Sequence, residues 1–576
     1  MNRLVLWALV LIGVCVAAQA DPPPANPNAD VLRYTFRLVL NDQNDEVIGE
    51  TSIAVRFLAD GVSELRLDLV GMTVLAVQED GQPATFARAD NGLRITLRSP
   101  SKAAEQRTYT VFYRGVPADG LTISKNRYGD RTFFADHWPN RARFWLPTVD
   151  DPRDKAACDF VVTAPARYQV VANGLLTQQT DLPGGLRLTR WSEAVPIPTK
   201  AMALAVARFA VETQGECHHK YAADEAYPPA RPDRVTETAP GPYPAATRQG
   251  HSALSSWPKG RVIPVQFWVY PQDRDAGLRD FSDAMNILQF FEDRLGPFPY
   301  EKLANVEAKC RYGGMENAGA IFYDEGFVAD MGRYEDIVPH EVAHQWFGDS
   351  VTEGDWHHFW LSEGFATYLD HVYIGATRGR ARMDEMLKKD REVILAYSRM
   401  RPRSPIVDTT ITDLPELLNP NSYQKGAWVL HMLRRVVGEK AFWDGLRAYY
   451  ARYRDRNALT EDFQKVMEEV SGRELSWFFR EWIYQPGQPR YRGTWHYDPD
   501  ARRLIVRLDQ VQTNGVLFKM PVDLGIYAAG KGPTRIEVLH LNEKTNTFTF
   551  STDAAPSKVV LDPDTWVLME ADFQKN

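Results

Sequence analysis

The sequence predicts a multidomain α+β protein with an N-terminal antiparallel β domain, a mostly helical middle domain and a C-terminal β-sandwich. Apolar and polar residues alternate from Val31 to about Phe209, as they do in half-buried strands. Helical periodicity dominates from Glu363 to Ile483, and short alternating runs return after a Pro- and Gly-containing break at residues 485–489. A chain of 576 residues is also too long for a single core.

Residues 1–20 have the pattern of a secretory signal peptide. Arg3 supplies the positive end, an apolar run extends from Leu4 to Val16, and Ala18-Gln19-Ala20 fits a cleavage site. An uncleaved anchor is the alternative, but the apolar run is short for a span of about 20 residues. We therefore expect an exported protein, periplasmic or secreted, with no stable membrane insertion after cleavage.

The composition shifts define the expected domains. The N-terminal β domain should span residues 21–208 and the middle domain residues 209–488, with a proline-rich insertion at about 217–261. The C-terminal β-sandwich should span residues 489–576. Within the middle domain, helical spacing predicts helices at 281–295, 423–437, 440–453 and 459–470.

Charge and cysteine content exclude several classes of protein. A net charge of -8 argues against nucleic-acid binding, which normally requires a basic face. Three cysteines follow the signal peptide, namely Cys158, Cys217 and Cys310, so at most one disulfide can form, and whether it forms is open. None of the three belongs to a CxxC pair, so a cysteine-based metal site is not expected.

The run His-Glu-Val-Ala-His at residues 340–344 predicts a metal site. Histidines four residues apart lie on one face of a helix, so both can reach one metal ion, and Glu341 can reach a water on that ion. Glu363 follows His344 after 18 residues and is a third candidate ligand. Two histidines, one carboxylate and an open position form a catalytic zinc site rather than a structural one. The alternative is a surface helix that carries two histidines by chance.

A glycine-rich segment precedes these histidines by about 25 residues, with the sequence Gly313-Gly314-Met315-Glu316-Asn317. Glycines allow a backbone to lie close to a ligand, and a carboxylate near a metal would suit a cationic group of a substrate. A tight turn whose glutamate faces water is an equally good interpretation of the segment alone.

Together these motifs resemble the M1 family of zinc aminopeptidases, a gluzincin family that includes aminopeptidase N and leukotriene A4 hydrolase. The segments match the family patterns G-[AG]-M-E-N and HExxH-x18-E, and Trp-Leu-Ser-Glu-Gly-Phe-Ala at 360–366 is close to W-L-N-E-G-F-A. Tyr-Gln-Lys-Gly-Ala at 423–427 matches Y-x-K-G-A. The resemblance implies a thermolysin-like, mostly helical zinc peptidase domain at residues 209–488 that removes N-terminal residues from peptides.

The resemblance also implies a role for each matched residue. His340, His344 and Glu363 would bind one Zn²⁺ per chain, and Glu341 would be the general base. Tyr423 would donate a hydrogen bond to the oxyanion, although alone it looks like an ordinary aromatic residue at a helix start. The residues implied to contact the substrate are Gly313, Gly314, Met315, Glu316 and Asn317, with Glu316 binding the free α-amine.

One departure from the family pattern concerns a second anchor for the amine. Relatives carry Gln or Glu at the position that aligns with Trp138. Asp136 or His137 could replace it, and Asp136 is the better candidate because it is anionic. Two rival functions are a zinc endopeptidase, against which Glu316 argues, and a zinc-bearing scaffold without activity. The residues leave the preferred first residue of the peptide and the oligomeric state open.

Overall fold

The computed structural model describes residues 26–89, 91–218, 262–328, 336–528, 533 and 535–576. The predicted signal peptide and nearly all of the predicted insertion lie outside these residues. The expected fold class is confirmed, with a β-rich N-terminal domain, a helical middle domain and a C-terminal β-sandwich. Among the described residues, no helix combines the length and apolar character needed to cross a membrane.

The N-terminal domain is built on an eight-stranded sheet of order β13-β14-β11-β1-β2-β8-β4-β5, accompanied by sheets of order β12-β15-β10-β9 and β3-β7-β6. The strands are β1 (Ala29–Val39), β2 (Val47–Phe57), β3 (Glu64–Asp68), β4 (Thr73–Glu79), β5 (Gln82–Pro83), β6 (Thr85–Ala89), β7 (Gly92–Thr96), β8 (Gln106–Gly115), β9 (Leu121–Lys125), β10 (Arg131–Ala135), β11 (Ala156–Pro165), β12 (Gln169–Ala172), β13 (Leu175–Leu182), β14 (Leu186–Ile197) and β15 (Leu204–Ala207). Strand β2 alternates buried and more exposed residues along its length, which is the period-two pattern of the sequence. The sheet departs from a purely antiparallel arrangement at one place, because β1 and β11 pair in parallel.

The middle domain begins with a five-stranded sheet of order β16-β17-β18-β20-β19. Its strands are β16 (Ala210–His218), β17 (Val262–Val269), β18 (Leu303–Ala308), β19 (Gly314–Met315) and β20 (Ala320–Asp324). The short edge strand β19 carries part of the glycine-rich segment and pairs antiparallel with β20. Glu316 directly follows β19, so the edge of this sheet fixes the position of its backbone.

The middle domain also contains helices, and two of them carry the two histidines and Glu363. They are α1 (Arg274–Asp280), α2 (Ala284–Leu295), α3 (Ile337–His344), α4 (Trp360–Arg378), α5 (Arg380–Met400), α6 (Gly426–Val437), α7 (Glu439–Tyr453), α8 (Thr460–Ser471) and α9 (Ser476–Trp482), with a two-stranded sheet of β21 (Val351–Glu353) and β22 (Arg456–Ala458). The prediction of one helix at 281–295 was wrong at its start, because a turn at 281–283 separates α1 from α2. The predicted helix at 423–437 also begins later, since Asn421–Lys425 forms a π-helical turn before α6.

The C-terminal domain is a sandwich of a four-stranded sheet, β27-β24-β23-β29, and a three-stranded sheet, β26-β25-β28. Its strands are β23 (Arg490–Asp498), β24 (Arg503–Gln510), β25 (Met520–Tyr527), β26 (Arg535–Leu541), β27 (Thr545–Ser551), β28 (Lys558–Leu561) and β29 (Glu570–Lys575). Leu504, Val506 and Leu508 alternate along β24 and are fully buried, so the predicted alternation defines the inner face of this sandwich.

Contacts from the N-terminal domain hold the loops around the metal helix α3. Lys155 Nζ donates hydrogen bonds to the backbone oxygens of Asp349 (3.0 Å) and Ser350 (2.8 Å), just beyond α3. Asn173 Nδ2 donates to Ala318 O (2.7 Å) in the segment that follows Glu316. Within the described part of the chain, the cysteines at 158, 217 and 310 form no disulfide.

Candidate metal centre and substrate cleft

His340, His344 and Glu363 come together at the contact between α3 and α4. One side-chain donor atom from each lies within 4.8 Å of the others. His340 Nε2 and His344 Nε2 are 3.0 Å apart, and each lies 3.3 Å from Glu363 Oε2. The sequence spacing therefore produces the expected convergence of three donors, two from one helix and one from the next.

The remaining nitrogen of each imidazole faces a protein group. His344 Nδ1 lies 3.2 Å from Phe347 O and 3.1 Å from Ser362 Oγ, while His340 Nδ1 lies 3.8 Å from Asp370 Oδ2. Such partners orient the opposite nitrogen toward a metal. Glu363 Oε2 is buried and has no hydrogen-bond partner among the described residues. A cation at this point would satisfy that oxygen, and the two-imidazole, one-carboxylate donor set fits Zn²⁺.

Electrostatics at the three donors favour a positive charge between them. Burial alone would lower the pKa of His340, but its contacts with Asp370 and Glu363 outweigh burial and raise that pKa well above its usual value. Burial and Glu363 act on His344 in the same opposing way, with a net rise in pKa. Despite burial, the two histidines hold the pKa of Glu363 below its usual value. The pocket thus stabilises either protons or a metal cation.

Glu341 lies beside the donors, because it follows His340 on α3. It is buried, and burial raises the pKa of its carboxyl group to about 7, while the neighbouring histidines act against this rise. A carboxyl group with such a pKa can accept and release protons near neutral pH. The backbone at Gly314 passes directly against this carboxylate, where a Cβ atom would overlap Glu341 Oε1. The glycine therefore allows the close approach of β19 to the metal helix.

Glu316 follows β19 and is 6% exposed. Its Oε1 is buried and lacks a hydrogen-bond partner among the described residues, and its charge acts on the pKa values of both Glu341 and His344. The carboxylate therefore lies close to the metal centre and has an oxygen available for a ligand. The alternative interpretation of the segment, a tight turn whose glutamate faces water, is therefore wrong, because Glu316 is buried.

The other residues of the glycine-rich segment are buried or closely packed. Met315 is buried and pairs with Phe322 across β19 and β20. Asn317 is 1% exposed, and neither polar atom of its side chain has a partner among the described residues. A Cβ atom at Gly313 would lie 3.1 Å from Phe327 Cζ, so space is tight there as well.

Tyr423 reaches the centre from the π-helical turn before α6. Its ring lies parallel to the imidazole of His340, with centroids 6.2 Å apart and an interplanar angle of 7°. Burial raises the pKa of its hydroxyl well above the usual value, and the charges of Glu363 and Glu316 raise it further. The hydroxyl therefore remains protonated and can donate a hydrogen bond. Single π-helical turns of this kind frequently occur at functional sites.

Asp136 lies next to two guanidinium groups. Its Oδ1 accepts a hydrogen bond from Arg141, and its Oδ2 lies 3.8 Å from Arg311 Nε. Burial raises the pKa of Asp136, with the two arginines acting against this rise. Trp138, which occupies the aligned anchor position, packs against Tyr312 and Phe359 with centroid distances of 5.8 and 5.4 Å. A role for Asp136 in binding the amine remains a prediction.

Sequence reasoning missed several residues that support the centre. Asp370 is seven residues after Glu363, two turns along α4, so helical spacing could have identified it. Its Oδ1 lies 2.7 Å from His371 Nδ1, and His371 Nε2 lies 2.8 Å from Asp390 Oδ2. The buried ion pair between Lys200 and Glu353 (2.5 Å) had no local signal, because its partners are far apart in the chain.

Fold and site together define a protein with a candidate metal centre, made of the two histidines of a His-Glu-x-x-His helix and a glutamate on the following helix. The family model described as the Peptidase family M1 domain matches residues 279–482, and the Peptidase M1 N-terminal domain matches residues 31–200. These two ranges together exceed half of the chain. The chain therefore belongs to peptidase family M1, which confirms the resemblance seen in the sequence.

Relatives of this chain include proteins named as aminopeptidases. The chain is 26% identical over 368 residues to the glutamyl aminopeptidase of Bitis rhinoceros, an alignment that covers 62% of this chain and 34% of that protein. It is 24% identical over 520 residues to the leucyl aminopeptidase of Saccharolobus solfataricus, covering 86% of this chain and 58% of that protein. The chain thus spans about a third of the glutamyl aminopeptidase and over half of the leucyl enzyme.

Two solved structures resemble the fold. An M1 zinc metallopeptidase from Deinococcus radiodurans is 25% identical with a TM-score of 0.63, covering 81% of this chain and 95% of that one. Legionella pneumophila aminopeptidase A in complex with aspartic acid is 16% identical with a TM-score of 0.77, covering 95% of this chain and 60% of that one. The second comparison supports the fold alone.

Proposed function

We propose that this protein is a zinc-dependent aminopeptidase that removes the first residue from peptides with a free N-terminus. The observation that carries the proposal is the position of Glu316, a buried carboxylate with a free oxygen beside the three metal donors. An anion placed there suits the charged α-amine of a peptide. The relatives' names, glutamyl aminopeptidase and leucyl aminopeptidase, support the same activity.

His340, His344 and Glu363 are the residues that would hold the zinc ion. When bound, zinc acts as a Lewis acid toward the scissile carbonyl and makes water a nucleophile near neutral pH. Glu341 accepts the proton of the attacking water and delivers it to the nitrogen of the departing peptide. In the metal-free pocket, burial raises the pKa of Glu341 to about 7, so the surroundings favour proton uptake by this carboxylate.

Two further residues complete the mechanism. The Tyr423 hydroxyl donates a hydrogen bond to the oxyanion that develops from the carbonyl oxygen, the kind of donor worth about 3 to 4 kcal/mol in other hydrolases. Glu316 holds the α-amine, and this contact brings only the first peptide bond to the metal. Gly313 and Gly314 allow the substrate to lie along the backbone, with Met315 and Asn317 behind it.

The competing candidate is a zinc endopeptidase, which would need no group for the amine. A matched set of fluorogenic aminoacyl and N-acetyl-aminoacyl substrates, together with an internally quenched peptide, separates the two functions. We expect rapid cleavage of the free-amine substrates, loss of this activity with a chelator and little cleavage of the blocked ones. Equal internal cleavage of blocked peptides would contradict the aminopeptidase proposal.

We also propose that the protein acts outside the cytoplasm, as a periplasmic or secreted enzyme. The support is the charged, apolar and small-residue pattern of residues 1–20. Expression of the full chain, followed by fractionation and N-terminal sequencing of the mature protein, tests this directly. We expect a mature N-terminus at Asp21, and retention of Met1 in the cytoplasmic fraction would contradict export.

A further inference from the structure

Gln345 connects the metal helix to the segment that carries Glu316. It follows the metal ligand His344 directly, and its side chain is fully buried. Gln345 Nε2 donates hydrogen bonds to the backbone oxygen of Glu316 at 2.8 Å and to Asp349 Oδ2 at 3.0 Å. Gln345 Oε1 accepts a hydrogen bond from the Gly319 N–H at 2.8 Å. One side-chain amide therefore holds both ends of the segment from Glu316 to Gly319.

This arrangement determines how the Glu316 carboxylate is placed. Its Oε1 has no hydrogen-bond partner among the described residues, and a shift of the backbone that carries Glu316 would also move that oxygen. That backbone is bonded at the Glu316 carbonyl to the residue that follows His344. One path from the metal ligand to the proposed amine-binding carboxylate thus passes through the fully buried side chain of Gln345.

We propose that Gln345 is a positioning residue that sets the distance between the substrate amine and the metal. The inference rests on the proposed aminopeptidase function, since it assigns to Gln345 the placement of the amine-binding group Glu316. Gln345 does not contact the substrate in this proposal. It acts by holding the backbone of Glu316 at a fixed position relative to the metal helix, so that only the first peptide bond is cleaved.

A purely structural role for Gln345 makes a different prediction. Loss of a buried amide leaves the Glu316 carbonyl and the Gly319 N–H without partners, which would destabilise the fold in general. Such damage would weaken every ligand of the cleft by a similar factor. If Gln345 is a positioning residue, its replacement weakens the contribution of the amine to ligand affinity and leaves binding of the ligand to the metal unchanged. The contribution of the amine is therefore the quantity to measure.

Two ligands that differ only in the amine measure this contribution. Leucine hydroxamate and isocaproyl hydroxamate both bind zinc through the hydroxamate, and only the first has an α-amine. Calorimetry with the zinc-loaded full-length protein gives the ratio of their Kd values in the native protein and in variants. The informative variants are Gln345→Met, which removes both polar functions, and Gln345→Glu, which keeps the acceptor for Gly319 but loses the donors.

A matched control exists in the C-terminal sandwich. Gln510 is also buried, and its side chain bonds to the backbone oxygen and N–H of Phe518 at 2.7 and 3.1 Å. Gln510→Met removes a comparable pair of backbone contacts far from the metal in sequence and domain. It should therefore reproduce a general loss of stability without changing the preference for the amine.

We expect the native protein to prefer leucine hydroxamate, and the two Gln345 variants to lose at least about tenfold of that preference. The Kd of isocaproyl hydroxamate should change less than about threefold, and Gln510→Met should leave the ratio unchanged. A preserved ratio with a parallel rise of both Kd values, or an equal loss of preference in Gln510→Met, would overturn the inference alone. Absence of any preference in the native protein would overturn the proposed function as well.

Discussion

The backbone of Gly314 lies against the carboxylate of Glu341, so close that no side chain fits between them. Edge strand β19 can therefore run directly along the metal helix, with the proposed general base pressed against its backbone. The same approach brings Glu316, two residues further on, next to the metal donors. A residue without a side chain thus determines the spacing between the two carboxylates on which the proposed reaction depends.

Gly314→Ala should abolish activity with little loss of global stability. The added methyl group overlaps Glu341 Oε1 and must displace either the carboxylate or the strand. We expect kcat/KM to fall by at least roughly a hundredfold, because small misplacements of reacting groups cost about that factor. The measurement is steady-state kinetics with parallel thermal unfolding. Gly326→Ala, on the loop after β20, is a control whose near-native activity we expect.

Glu341→Gln should retain zinc and lose hydrolysis. The amide has the size of the carboxylate and the three metal donors are unchanged, but it cannot accept a proton from water. We expect kcat to fall by roughly three to four orders of magnitude, with zinc content near one ion per chain by atomic absorption. Substantial turnover by a zinc-loaded Glu341→Gln protein would exclude Glu341 as the base.

Tyr423→Phe should lower kcat and leave KM nearly unchanged. The hydroxyl would stabilise the oxyanion only as it develops, and its loss removes one hydrogen bond from the transition state. A decrease in kcat of roughly a hundredfold to a thousandfold is expected. The ring remains able to stack on His340, so the metal content should not change. An equal rise in KM would instead indicate that Tyr423 binds the substrate in the ground state.

Zinc uptake should weaken as the pH falls. The pKa values of His340 and His344 are raised in the metal-free pocket, so these histidines carry protons below their raised pKa values and must release them to bind zinc. The apparent affinity should therefore rise with pH, by about tenfold per pH unit for each proton released. Competition with a chromophoric chelator from pH 6 to 9 measures this, with flat affinity contradicting it.

Asp136→Asn separates the predicted anchor role from an ion-pair role. Asp136 bonds to Arg141 and lies near Arg311, so the substitution should chiefly leave the buried Arg141 without its full counter-charge. Loss of one partner from a buried ion pair costs about 3 to 5 kcal/mol. We expect a lower Tm and a KM for free-amine substrates within a few-fold of native. A large rise in KM at unchanged Tm would favour the anchor role.

The metal donors could be predicted from the sequence because their geometry is mostly local. Two histidines on one helix need only the helical repeat, and the third donor lies near the start of the adjoining helix α4. The family pattern was needed only to predict that Glu363 lies beside the two histidines of α3. The β-rich and helical domains were equally predictable, since alternation and helical spacing directly reflect which faces are buried.

The supporting residues could not be predicted, because their partners are distant in the chain. Gln345 looks like any polar residue at a helix end until the segment from 316 to 319 is placed beside it. Asn173 and Lys200 belong to the N-terminal domain. Nothing in their local sequence indicates that Asn173 bonds to Ala318 or that Lys200 pairs with Glu353. The π-helical turn at Tyr423 also escaped prediction, since one irregular turn leaves the apolar spacing of α6 almost unchanged.

The hydrogen bond from Asn173 to Ala318 connects the N-terminal domain to the segment that follows Glu316, the proposed amine-binding residue. Ala318 N–H also donates to Ala201 O at 3.0 Å, so two separate loops of that domain support the strip of chain after Glu316. A chimera that joins this middle domain to the N-terminal domain of another protein would keep the metal ligands. It would lose the hydrogen bonds that support the segment after Glu316. If Glu316 binds the substrate amine as proposed, substitutions at these loops of the N-terminal domain would alter substrate binding without touching the metal donors.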